Sequence, residues 1–241
     1  MQEIIERLKQ KRSQGSPQIS SGILSAEIIR QVFCNKHDLV IMTEDKKGGL
    51  KERFFGSTPI HLTRKCPCPV WIVKSKIRKD YKRIMVTVDL SAPESHKNTI
   101  NIKVMEAAIS LARIYQSELH VVYAWTLFGE AQLKLTGRAS QHEMTLYTCK
   151  IEKNNESLMK SFLSNFNLEG LCCRPFLFKG DTIDAISGLA EMNKVDLIIM
   201  ERVLQSRCIN LFIANPAEEV LRKEGCSVLI FKSDKLLSSV K

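Results

Sequence analysis

Shifted along itself by 158 positions, the chain repeats: HDLVIM, His37 to Met42, falls on VDLIIM, Val195 to Met200. Without a gap, RKCPCPVWIVKS, Arg64 to Ser75, then falls on RKEGCSVLIFKS, Arg222 to Ser233. About a dozen identities in roughly forty positions is what a duplicated supersecondary unit leaves behind. A chain built this way folds as two copies of one module, so the more complete copy predicts the architecture of both.

That copy is the second. Arg83 to Asp89 (RIMVTVD) is a β-rich apolar run, and Asn101 to Tyr115 places Ile102, Met105, Ala108, Ile109 and Ala112 at helical spacing. Glu118 to Tyr123 reads as a strand, Glu143 to Phe166 as a second helix, and Arg174 to Phe178 as a third strand. A short helix from about Thr182 to Met192, the strand Val195 to Met200, a helix from about Pro216 to Lys223 and the strand Ser227 to Phe231 complete it. Strands alternating with helices imply right-handed crossovers and a parallel sheet covered on both faces. The predicted fold class is α/β, a doubly wound parallel sheet of five strands preceded by a partial copy of the same module.

The first copy is shorter. Met1 aligns with Met159 inside the module's second helix, and the counterpart of Arg83 would lie about 75 residues before Met1. What remains is a weak strand near Pro17 to Ser21, a helix from about Ser25 to Cys34, and a strand, loop, helix and strand ending at Val73. The expected organisation is a partial module over 1–76, a basic linker over 77–82, a complete module over 83–234 and a tail over 235–241. If the reading frame upstream encodes a strand ending in aspartate and a further strand, Met1 is not the original start of the protein.

Composition narrows the classes. Apolar residues make up 44% of the 241, an ordinary share for a globular protein. No apolar run approaches the roughly 18 residues of a membrane span. The N-terminal MQEIIERLKQKRSQGS is charged and amphipathic, without a signal-peptide core, so the expected location is the cytoplasm. Eight cysteines in such a chain are expected to be structural thiols: Cys66 and Cys68 flank a proline, Cys172 and Cys173 are adjacent, and no second pair completes a four-ligand set. The net charge of +10 admits a nucleic-acid partner. Its densest run, KSKIRKDYKR from Lys74 to Arg83, sits between two strands, where a solvated linker is the ordinary explanation, and it lacks the interleaved aromatics of a single-strand platform.

The strand DLVIM, the loop, GST opening a helix, RKCPCPVWIV as a last strand and a new strand ending in VDLS together resemble a tandem universal stress protein of the E subfamily. HVVYAW and the insert SAPESHKN after Asp89 also resemble that subfamily's second domain. The resemblance implies a cytoplasmic protein of survival under starvation, oxidative or DNA-damaging stress, mostly without a demonstrated reaction. It implies sheet order 3-2-1-4-5, with the fifth strands Pro69 to Val73 and Ser227 to Phe231 joining in a pseudo-dimer. In that order strands two and one separate strand three from strand four, so the first copy cannot close its own sheet. It is expected to lean on the complete module, to pair with another chain such as a second copy, or to be poorly ordered.

Nucleotide-binding members of that family carry glycine, two residues, glycine, nine residues, then glycine with serine or threonine. The first glycines let backbone approach phosphate, and the last pair opens a helix whose N–H groups face it. Here Gly56 and Ser57 keep the last pair, but the two earlier positions are Thr43 and Lys46, and Gly48 and Gly49 are off-register. The second copy holds Glu201, Leu204, Ala214 and Asn215 instead. Asp89, ending the first strand, matches the family's ribose-binding aspartate and equally suits a turn cap. Gly56 and Ser57 would hold a small anion or simply cap a helix, with Pro59 in its first turn. Asp89, Gly56 and Ser57 are thus the candidate residues of a degenerate nucleotide pocket. No cofactor is expected, ATP being the one candidate the family suggests.

The five histidines, His37, His61, His96, His120 and His142, are scattered and none sits in a hydrolase or zinc motif. His120 is expected to be a partly buried sheet residue, and Asp181 a helix start. Three readings stand: a non-catalytic stress-response module acting through an unidentified protein partner or ligand, an ATP-binding or slowly ATP-hydrolysing switch, and a basic nucleic-acid-associated protein.

Overall fold

The computed structural model describes residue 19 and residues 21–43, 57–74, 80–91, 96–127, 140–202, 216–223 and 225–232. The first copy supplies α1 (Leu24–Asn35), β1 (Val40–Thr43), α2 (Ser57–Lys65) and β2 (Val70–Val73). The second supplies β3 (Arg83–Thr87), α3 (His96–Tyr115), β4 (Glu118–Trp125), α4 (Gln141–Leu163), β5 (Cys173–Lys179), α5 (Thr182–Met192), β6 (Leu197–Glu201), α6 (Pro216–Lys223) and β7 (Ser227–Phe231). Of the weak strand expected at Pro17 to Ser21, Ile19 and Ser21 are described and neither is in a strand; the rest lies outside the described residues.

Local sequence sets where the helices start and stop. The Asp181 carboxylate accepts the Ile183 N–H at 2.7 Å, the cap that opens α5. A capping box between Ser140 and Glu143 opens α4. α1 and α5 both end at a lysine in the left-handed region, Lys36 (φ 52°) and Lys194 (φ 48°), 158 positions apart. The duplication therefore preserved a turn as well as a pattern.

The strands form one seven-stranded sheet in the order β1-β2-β7-β6-β3-β4-β5. Within the second copy this is the order 3-2-1-4-5, all parallel. β1 and β2 are parallel to each other, and β2 pairs antiparallel with β7 through Val70 with Ile230, Trp71 with Leu229 and Ile72 with Val228. The two copies thus share a sheet instead of standing side by side, and β1 lies at its edge.

Strand side chains alternate between two cores, as a period of two requires. Ile84, Val86, Leu197, Ile199 and Leu229 face one layer, where α3 and α4 contribute Val104, Ala108, Met159 and Phe162. Met85, Ile198, Val228 and Ile72 face the other, beneath α1, α2, α5 and α6 with Val32, Leu62, Ile186 and Val220. Because both faces of β6 and β7 are covered, their sequences read as unbroken apolar runs.

The seam between the copies has its own fastenings. Trp71 packs on Tyr81 with centroids 5.7 Å apart, and Tyr81 meets Tyr115 edge-on at 5.1 Å. The Ser227 hydroxyl accepts the Lys74 N–H and the Tyr81 O–H, each at 3.3 Å, so one side chain holds the residues on either side of the linker. On the opposite face Arg64 of α2 makes a two-pronged ion pair with Glu218 of α6, at 2.7 and 2.5 Å.

Candidate functional site

In an open α/β sheet the ligand crevice lies beyond the carboxyl ends of the strands, where successive crossovers diverge to opposite faces. The ends of β3, β4 and β6 meet there around a cavity of about 490 Å3, lined by Asp89, Asn101, Tyr123, Asn155, Thr182 and Glu201 among others. A larger hollow of about 780 Å3, lined by Asp80, Arg83 and Glu118, opens at the amino ends of the strands and is the wrong end for this fold.

Asp89 is fixed from both sides. Its backbone N–H donates to Asn101 Oδ1 at 3.0 Å, and Asn101 Nδ2 donates back to the Asp89 carbonyl at 2.7 Å. One carboxylate oxygen accepts the Ser91 N–H at 3.0 Å and the Ser91 hydroxyl at 2.6 Å, the bonding of an aspartate that caps a turn. The Tyr123 phenol is pushed up by burial, with the negative charge of Asp89 adding to it. Glu201, the last residue of β6, lines the same cavity, so two carboxylates share its walls.

The remaining candidates are elsewhere. Ser57 is the first residue of α2 and is exposed, while Pro59 lies buried in the first turn. Gly56, Lys46, Gly48, Gly49, Leu204, Ala214 and Asn215 lie outside the described residues. Strand directions separate the two half-sites. β1 is parallel to β2, β2 antiparallel to β7, and β7 parallel to β6, so the carboxyl ends of β1 and β6 point to opposite rims of the sheet. The helix start at Ser57 and the walls at Asp89 therefore cannot combine into one pocket within the chain.

Asn101 and Asn155 were not among the sequence candidates, yet they are 3% and 5% exposed and both line the cavity. Each interrupts an apolar helical stripe, Asn101 with Val104 and Ala108, Asn155 with Ile151 and Met159. A polar residue on a buried face was the available signal.

His120 is fully buried in β4, not partly as expected, with Nε2 3.1 Å from Glu118 Oε1, and His61 Nδ1 lies 2.8 Å from the Ser25 hydroxyl, tying α2 to α1. Among the described residues no group of three His, Cys, Asp or Glu could hold a metal, and no helix is long and apolar enough to cross a membrane. The seven described cysteines are all thiols. Lys74, which opens the basic run, is buried and donates its Nζ to the Leu221 carbonyl at 3.4 Å, a structural contact at the end of α6. The rest of that run, 75–79, is outside the described residues.

Comparison with known proteins agrees with this architecture. The fold matches a functionally unknown protein from Pseudomonas aeruginosa PAO1 with a TM-score of 0.75 at 18% identity, covering 98% of this chain and 78% of the other. It matches a universal stress protein from Archaeoglobus fulgidus DSM 4304 with a TM-score of 0.60 at 17% identity, covering 96% and 77%. In sequence, the chain is 27% identical over 214 residues to universal stress protein E of Escherichia coli K12 and 26% identical to that of Salmonella typhi. Each alignment covers 88% of this chain and 66% of the relative, so the chain spans about two-thirds of the length of these relatives. The model of the universal stress protein family matches residues 5–74 and 80–232. With the doubly wound sheet and both matched segments in place, the chain belongs to the universal stress protein family.

Proposed function

We propose that the protein is a non-catalytic, cytoplasmic universal stress protein acting in survival under starvation, oxidative or DNA-damaging stress, with pockets that no longer take ATP. The observation that carries this reading is the Glu201 carboxylate on the cavity wall with Asp89, at the position where a nucleotide-binding member has glycine. Two carboxylates at one rim repel a triphosphate, and a side chain at 201 fills the space that backbone would need to touch it. The complementary remnant, the helix start at Ser57, faces the other rim and offers no help. Stress protection then works through a protein partner or a ligand that is not an anion.

Titration of the purified chain with ATP tests this. The expected result is no saturable heat or melting shift up to millimolar nucleotide, and a gain of binding when Glu201→Gly and Leu204→Gly are introduced together. Saturable binding by the unaltered chain at micromolar ATP overturns the reading.

A further inference from the structure

The turn between α2 and β2 sets two buried thiols side by side. Cys66 donates its N–H to the Leu62 carbonyl at 2.8 Å, closing α2, and its side chain is fully buried; Cys68 is 8% exposed. Only Pro67 separates the two in sequence, and their Sγ atoms lie 3.6 Å apart, in hydrogen-bonding contact. Closing that gap to the length of a disulfide takes a movement of about 1.5 Å.

The second copy brings two cations to this pair. The antiparallel register that sets Val70 against Ile230 and Ile72 against Val228 sets Cys68 against Lys232, the residue after β7. Arg202, the residue after β6, donates its N–H to the Phe231 carbonyl at 2.7 Å and its Nη1 to the Arg64 carbonyl at 2.6 Å, bracing the end of α2 that carries Cys66. The hydrogen bond from Cys68, aided by the Lys232 charge, brings Cys66 down to about 7, while Cys68 is pushed up and keeps its proton. Burial and the nearby Arg202 charge bring Lys232 down to about 8. A nucleophilic thiolate, a second thiol in reach and an ammonium ready to yield a proton therefore meet at one place. The repeat supplies a comparison within the same molecule. Cys226 and Lys74 are the counterparts of Cys68 and Lys232 and are likewise buried, but Glu224 stands at the position of Cys66, so that half keeps a thiol and a cation without the partner sulfur.

We propose that Cys66 and Cys68 form a dithiol site that hydrogen peroxide oxidises to an intramolecular disulfide at the seam between the two copies. The Cys66 thiolate attacks one peroxide oxygen: an S–O bond forms, the O–O bond breaks, and the departing oxygen takes a proton from the Lys232 ammonium and leaves as water. The Cys68 sulfur then attacks Cys66 Sγ. The S–S bond forms as the S–O bond breaks, and the released hydroxide leaves as a second water with the proton of Cys68. Two electrons pass from the sulfurs to the peroxide, and Lys232 regains its proton from solvent. The full burial of Cys66 sets the size of the oxidant: a molecule little larger than water enters past Cys68, and a bulky disulfide such as that of glutathione does not.

The test treats the full reduced chain with hydrogen peroxide, alkylates the thiols that remain and weighs the peptides. The peptide holding Cys66 and Cys68 should lose about 2 Da and escape alkylation, at a rate at least about tenfold above that of the exposed Cys34 and Cys149, while Cys226 stays a thiol. Its rate should level off above about pH 7, below the ordinary thiol range. Cys68→Ser should halt the reaction at a Cys66 sulfenic acid that dimedone traps, and Cys66→Ser should leave Cys68 unoxidised. Lys232→Met should slow disulfide formation by about threefold or more, and glutathione disulfide should act at least about tenfold more slowly than peroxide. Oxidation of Cys34 and Cys149 ahead of Cys66 in the unaltered chain overturns the proposal. So does Cys226 reacting as fast as Cys66, or Cys66 passing to higher oxides while Cys68 remains a thiol.

Discussion

β1 and β6 are the same strand twice, and they lead different lives. LVIM of the first copy and LIIM of the second differ at one position, yet Leu197 to Met200 are buried to 1% exposure or less while Ile41 is more than half exposed. The difference comes from neighbours. Among the described residues β6 has a strand on each side and helices above and below, whereas β1 has one strand beside it and one helix overhanging. Pattern specifies what a segment could bury, and only the rest of the fold decides whether it does.

The widest gap between the copies should appear in core truncations. Ile199→Ala is expected to cost about 2–5 kcal/mol of unfolding free energy, and Ile41→Ala to stay within about 0.5 kcal/mol. Urea denaturation of the two variants side by side measures this, and equal losses would mean that β1 is covered in solution. Next come the duplicated aspartates. Asp196→Ala strands the amides of Lys82 and Arg83 and should cost about 1–3 kcal/mol, against no measurable change for Asp38→Ala.

A smaller effect probes the contact that joins the copies. Arg64 and Glu218 should show a coupling of about 1 kcal/mol in a double-mutant cycle, since Glu218 is largely buried but the Arg64 side chain is half exposed. The smallest effect is a pH dependence seated where the two copies meet. Cys66 is brought down to about 7 by the hydrogen bond from Cys68, 3.6 Å away, and Lys232 is brought down to about 8 by burial. Between about pH 7 and 9 the unfolded chain still holds both protons that the folded chain is releasing, so stability rises with pH across that window. Cys68 is pushed up by the same pair and opposes the trend only above the ordinary thiol range. The melting temperature should climb by about 2–4 °C from pH 7 to 9, and Cys66→Ser should flatten part of the rise. The second copy has Glu224 at the position of Cys66, so it supplies Lys232 to this effect but no matching thiol.

Much of this architecture was legible in the residues. The unbroken apolar runs of β6 and β7, the cap at Asp181 and the alternation of strand and helix gave the element types, because each rests on local periodicity or on one hydrogen bond, while the sheet order came from the family resemblance. Asp89 was legible as the residue ending the first strand, though not that Ser91 would occupy one of its oxygens or that Asn101 would hold its backbone. Those contacts join residues two and twelve apart in directions that a linear pattern does not encode. The separation of Ser57 from Asp89 was less legible still. It follows from one antiparallel pairing, β2 with β7, which turns the two copies head to tail.

The hydroxyl of Ser227 grips the backbone just before the linker and the ring just after it, so the connecting segment leaves and lands at nearly the same spot. Once the sheet has zipped, covalent continuity through Ser75 to Lys79 is redundant. A chain nicked there should still travel as one particle, its small fragment kept by β2 in the sheet, by the Arg64 ion pair with Glu218 and by the shared core, so the tether's task is finished when folding is.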